Sequence, residues 1–171
     1  MCQRLYIASF KPIGGVSRSK AAPYLELWRA GKQHETVRRH FPVGEFPMLY
    51  VAAGYSPCGC GFPEGLPGDR DRRKDQPEER ATMARLVEAL RPVVTSRPRV
   101  QLYLCFIGHE GERPEGRRSV TLGDIADPSF RFQDLEVVTV VKGGVEQRVA
   151  PDGRRWHTGR RPQVNAGVGR T

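Results

Sequence analysis

Two apolar runs with one amphipathic stretch between them constrain this chain more than any other feature. "MLYVAAG", residues 48–54, and "VQLYLCFIG", residues 100–108, carry no polar alternation, so each reads as a strand buried on both faces. Between them lies "PEERATMARLVEALRPVV". There Met83, Leu86, Val87, Leu90 and Val94 recur at the three-and-four spacing of a single helical stripe. Asp75 and Glu78 stand three apart as an N-terminal capping pair, with Pro77 in the first turn and Pro92 placed to end or kink the helix. A strand, a helical connection and a second strand form the pattern of a crossover between parallel neighbours. The expectation is therefore that residues 48–54 and 100–108 pair side by side, with the helix of residues 75–90 on one face.

Two further strands are expected at residues 5–9 and in "LEVVTVV", residues 135–141. "KGGVEQRVA" then returns the last of these as a C-terminal hairpin through Gly143 and Gly144. "YLELWRAGKQHETVRRHF" suggests a short helix near residues 34–40, with Trp28 as a core anchor and His34 and His40 solvated. Thr121 and Asp124 form a cap for a short helix stopped before Pro128. The fold class is α/β, a mixed sheet of four to five strands with one main crossover helix. Residues 1–156 are read as a single domain, and the basic residues 157–171 as a disordered tail.

The loop after residue 54, "SPCGCGF", is where chemistry would sit. In open α/β sheets ligands bind at the carboxyl ends of the strands, which brings "CGCGF" near "GHEGE" after the second apolar run. Gly59 and Gly61 allow left-handed backbone and bring amide N–H groups near the sulfurs, which favours thiolate over thiol. Cys58 and Cys60 so held can pinch Zn²⁺, with His109 as third ligand and Glu110 or Cys2 as fourth. Cys2 reaches the site only if its strand runs antiparallel to the other two. Cys105 reads as a buried structural cysteine. Two other readings of the turn stay open. Cys58 and Cys60 could cycle between dithiol and a strained, reducible disulfide, or they could fill space beneath a tight turn.

The formal charge of +9 is uneven. Residues 1–57 hold 8 Lys and Arg against 3 acids, residues 143–171 hold 6 against 2, and the middle is neutral. This raises the reading of a weak nucleic-acid module working through the basic ends, with Arg160, Arg161 and Arg170 in the tail. It is not favoured, because no basic stripe interleaved with aromatics and no groove-reading element accompanies the charge. "MCQRLYIASF" lacks the regions of a secretory signal, and no apolar run is long enough for a bilayer, so a cytoplasmic protein with reduced thiols and no membrane partner is expected. No phosphate loop or Ser/His/Asp arrangement is present to name an enzyme.

"CQRLYIAS", "LYVAAG" followed by "CGCGF", "VQLYLCF", "RRSVTLGDIAD" and "FRF", in that order, resemble a family of small uncharacterised bacterial proteins with a "GCGCGF" turn. The resemblance covers roughly residues 2–140 and is carried by the turn. It implies no activity. This chain has Ala53, Gly54, Tyr55 and Ser56 where that family carries Gly-Ser-His, and so lacks the histidine before the turn.

Overall fold

The computed structural model describes residues 3–14, 25–42, 44–54, 62–63, 65, 77–96, 100–143, 147–149 and 155–156. In chain order these form β1 (Gln3–Ser9), β2 (Glu26–Arg29), a 3-10 turn (Lys32–His34), α1 (Glu35–Arg38), β3 (Met48–Ala53), α2 (Pro77–Ser96) and β4 (Val100–Phe106). They continue with β5 (Gly116–Thr121), α3 (Leu122–Ala126), β6 (Glu136–Val141), β7 (Gln147–Val149) and β8 (Arg155–Trp156). Among the described residues the strands make one mixed eight-stranded sheet in the order β2-β3-β1-β4-β6-β5-β7-β8.

The architecture is α/β as expected, and the apolar runs are its central strands. Alternate side chains of each go to opposite faces. Leu5 and Ile7 of β1, Ala52 of β3, Leu102 and Leu104 of β4 and Val138 of β6 meet the α2 stripe of Leu86, Leu90 and Val94. Tyr6, Ala8, Val51, Tyr103, Cys105 and Val137 meet Val37 and Phe41 on the other face. Residues 31–41 thus cover one side of the sheet while α2 and α3 cover the other.

Several expectations are corrected. β3 and β4 run parallel but are not neighbours, because β1 lies between them and pairs antiparallel with both. Residues 5–8 are at most 1% exposed, so β1 is apolar enough on both faces to take the central place, and the connection through α2 passes over it. The sheet is wider than four or five strands. The charged "GRRSVT" forms β5, parallel to β6, although only Val120 in it is buried. The hairpin of residues 135–149 does not form: β7 pairs with β5, not with β6, and closes its own antiparallel pair with β8. α2 continues through Pro92 to Ser96. Pro92 lies on the exposed side, where water can take the carbonyl that loses its donor, and the buried Val93 and Val94 beyond it extend the apolar stripe. Asp75 and residues 157–171 fall outside the described residues. Trp28 is not the expected core anchor: it is 39% exposed on the edge strand β2, while Leu27 of that strand and Leu25 just before it are buried.

The cap of α3 forms as the sequence indicates. Thr121 Oγ1 accepts from the Asp124 N–H at 3.1 Å, and Asp124 Oδ2 accepts from the Thr121 N–H at 2.6 Å. Thr121→Ala removes the first of these and is expected to lower unfolding free energy by about 1 kcal/mol. A urea titration checks it, and the loss should not add to that of Asp124→Ala, since one reciprocal pair is broken in either case.

Candidate functional site

The strand order determines which loops share an edge. Gln3 pairs with Phe106, and Leu5 pairs with Ala52, so the amino end of β1 lies between the carboxyl ends of β3 and β4. Neighbouring strands are about 4.8 Å apart, which puts the two outer ends about 10 Å from each other. The chain leaves this edge after Gly54 and is anchored again at Phe62. The Phe62 ring is 2% exposed and meets Phe132 edge to face at 6.2 Å. Pro63 O accepts from Phe132 N–H, and Gly65 N–H donates to Phe132 O, both at 2.8 Å. Cys58 and Cys60, which fall between the two anchors, and Cys2, Arg160, Arg161 and Arg170 lie outside the described residues.

His109 and Glu110 occupy the turn after β4 and have different surroundings. The His109 side chain is 42% exposed, with Nδ1 3.6 Å from Glu112 Oε1 and its ring edge-on to Phe106. Glu110 is held from several sides. Its Oε2 accepts from Gly108 N–H at 2.7 Å, and its Oε1 lies 3.5 Å from Arg4 Nη1 and 3.5 Å from the Tyr6 hydroxyl. Gly108 has φ +102°, the left-handed angle this tight turn needs. Glu110 therefore fastens the turn rather than offering a free carboxylate. Among the described residues no group of three His, Cys, Asp or Glu side chains is arranged to hold a metal ion.

The same turn rests on a buried polar cluster that sequence reading placed in solvent. His34 and His40 are each 6% exposed. His34 Nδ1 lies 3.1 Å from the Tyr6 hydroxyl, and the two rings meet edge to face at 5.5 Å. His40 Nε2–H donates to Glu110 O at 2.8 Å, its ring lies 4.9 Å from that of Tyr103, and its own carbonyl accepts from Arg117 at 2.9 Å. The signal was present in the sequence: His34, Val37 and Phe41 follow i, i+3, i+7 spacing, one face of a helical turn. The charged residues of "HETVRRHF" masked it.

Burial sets the protonation states here. It lowers His34, with Arg4 adding to the effect and Glu110 opposing it. It also lowers His40, with the hydrogen bond to Glu110 O opposing and Arg39 and Arg117 adding. Both rings are neutral at pH 7. Burial pushes the Tyr6 hydroxyl up to about 12 and the Cys105 thiol up to about 12, and raises Tyr103 as well. Cys105 is a fully buried, protonated thiol and so a poor nucleophile, in line with its structural reading.

No family model matches the chain, and no curated protein or solved structure matches it. No helix among the described residues is long and apolar enough to cross a membrane.

Proposed function

We propose that the chain binds a thiophilic divalent metal, Zn²⁺, through Cys58, Cys60 and His109, with Cys2 as fourth ligand, in a reducing cytoplasmic setting that keeps the thiols free. One observation carries this reading: β1 runs antiparallel between β3 and β4. The residue before Gln3, the loop after Gly54 and the turn after Phe106 are thereby attached to one edge of the sheet, within about 10 Å of one another at their roots. Three thiolates and an imidazole suit the tetrahedral preference of zinc. Glu110, engaged by Gly108, Arg4 and Tyr6, is the weaker fourth ligand. A metal in this position would cross-link three chain segments far apart in sequence, which makes loop closure its first physical consequence.

Elemental analysis of untagged protein purified without chelator tests the reading. About one zinc per chain is expected, falling below about 0.2 in Cys58→Ser/Cys60→Ser. Cys2→Ser should weaken retention against a competing chelator, and Glu110→Gln should leave the stoichiometry unchanged. Metal below that level in the wild type, or metal unchanged in the double variant, sinks the proposal. If two thiols then disappear together on mild oxidation of the native fold, dithiol chemistry takes its place.

A further inference from the structure

A cleft of about 100 Å³ lies between α2 and the chain from Ile125 to Arg131, and it shares no residue with the proposed metal site. Its lining is mostly apolar. Met83 and Ala84 come from α2, Ile125 and Ala126 from α3 and Phe130 from the turn beyond, with Pro63 beside them. Met83, Ile125 and Phe130 are at most 7% exposed and form the floor, whereas Ala84 stands exposed at the mouth. We propose that this cleft binds a small amine, a primary ammonium on a compact aryl or branched alkyl body, with the body on the apolar floor and the ammonium at Glu79.

The walls are fixed before any guest arrives. α3 is held by its Thr121 and Asp124 capping box. In the turn that follows, Asp127 Oδ1 accepts from the Ser129 N–H at 2.7 Å and from the Ser129 hydroxyl at 2.5 Å, and Phe130 N–H donates to Asp127 O at 2.9 Å. Such a preformed concave site loses little freedom on binding. Size then limits the guest. An apolar cavity of roughly 150 Å³ accepts benzene, so this cleft, open on one side, takes one phenyl ring or one branched alkyl group and excludes fused rings.

Charge selects the head group. Glu79 stands one helical turn before Met83, which sets its carboxylate on the same cleft. The other charged residues at the rim are engaged. Arg131 Nη1 donates to the Pro128 and Phe130 carbonyls at 2.6 and 2.7 Å, Asp127 is held by Ser129, and Arg80 is not free either. Arg118, 4.7 Å over the Phe130 ring, is paired with Glu136 at 3.0 Å. Among the described residues the Glu79 carboxylate has no hydrogen-bond or ion-pair partner, so it is the open acceptor of the rim.

A cationic guest therefore meets Glu79 directly, with Asp127 adding a second negative charge to the same rim. An anionic guest would face both carboxylates and would compete with two backbone carbonyls for Arg131. Benzylamine, with about eight heavy atoms, serves as the probe, and at ordinary ligand efficiency its Kd is about 1 mM. Because Glu79 is only half-buried, the ion pair is screened and adds about three- to fivefold over a neutral guest of the same shape.

Amide NMR titration of the full chain with benzylamine, benzyl alcohol and benzoate tests the site. Saturable shifts are expected at Met83, Ala84, Ile125 and Ala126, with benzylamine about three- to fivefold tighter than benzyl alcohol and benzoate the weakest. Glu79→Gln should bring benzylamine down to the affinity of benzyl alcohol, and Ala84→Leu, which fills the mouth from an exposed helical position, should abolish binding of both. No saturable shift at about ten times the expected Kd overturns the proposal. So does binding that survives Ala84→Leu, which would lie elsewhere, and so does equal affinity for the amine and the alcohol in the wild type. Shifts of the same amides with protein concentration alone would show that a second copy of the chain fills the cleft, and would defeat the amine as its occupant.

Discussion

Arg118→Ala is expected to lower folding stability by about 3–5 kcal/mol, an effect typical of breaking a buried ion pair by removing one partner. Arg118 on β5 and Glu136 on β6 approach to 3.0 Å, with side chains only 12% and 9% exposed. The N–H is not well aligned on the carboxylate oxygen, so the attraction is mainly charge on charge. The guanidinium also lies 4.7 Å over the Phe130 ring and donates to the Arg131 carbonyl. Alanine takes away all three contacts and leaves a carboxylate with little access to water. The double variant Arg118→Met/Glu136→Leu should recover most of the loss, since two apolar side chains of similar volume need no mutual charge compensation. Urea unfolding of the two single variants and the double variant completes the cycle. A single-variant loss below about 1 kcal/mol, the value for an exposed pair, would show that water reaches the site and defeat the argument.

Leu102→Ala should cost about 3–5 kcal/mol, in the upper part of the range for buried leucine. Leu102 is fully buried on the α2 side of β4, in register with Ile7 of β1 and Val138 of β6. Ladder hydrogen bonds fix the backbone on both sides, so the walls cannot close into the void and the cavity term remains. For a chain of this length about 2–4 °C of melting temperature accompanies each kcal/mol, which predicts a fall on the order of 10 °C. Leu27→Ala is a useful contrast, because among the described residues β2 is an edge strand paired only with β3 and has room to shift. Equal losses at the two positions would argue against the role given to strand pairing.

What the sequence disclosed about the fold follows from where burial leaves a local mark. β1, β3, β4 and β6 are largely buried on both faces, so each centres on an apolar run readable without a partner. The α2 stripe is readable for the related reason that one helix face is apolar. β5 leaves no such mark. Its arginines extend from a short strand held by β6 on one side and β7 on the other. Neighbour order is likewise absent from local pattern: a crossover with one strand beneath it has the same sequence signature as one without. The candidate site divides in the same way. His109 was identifiable from its place after β4, whereas the engagement of Glu110 depends on Arg4 and Tyr6, more than a hundred residues earlier. Proximity of that kind exists only once the sheet has formed.

The central position of β1 also bears on how the chain assembles. The earliest strand in chain order can gain its two partners only after β3 and then β4 have been made, with Gln3 waiting for Phe106. Pairings so distant in sequence close large loops before they return any contact, which slows folding relative to locally connected sheets. Until β4 arrives, a highly apolar strand has a bare flank able to pair with another nascent chain. Ribosome-bound fragments ending before residue 100 should therefore be poorly soluble, and those extending past residue 106 markedly less so prone. The topology makes synthesis, rather than the finished molecule, the moment at which this protein is most exposed to self-association.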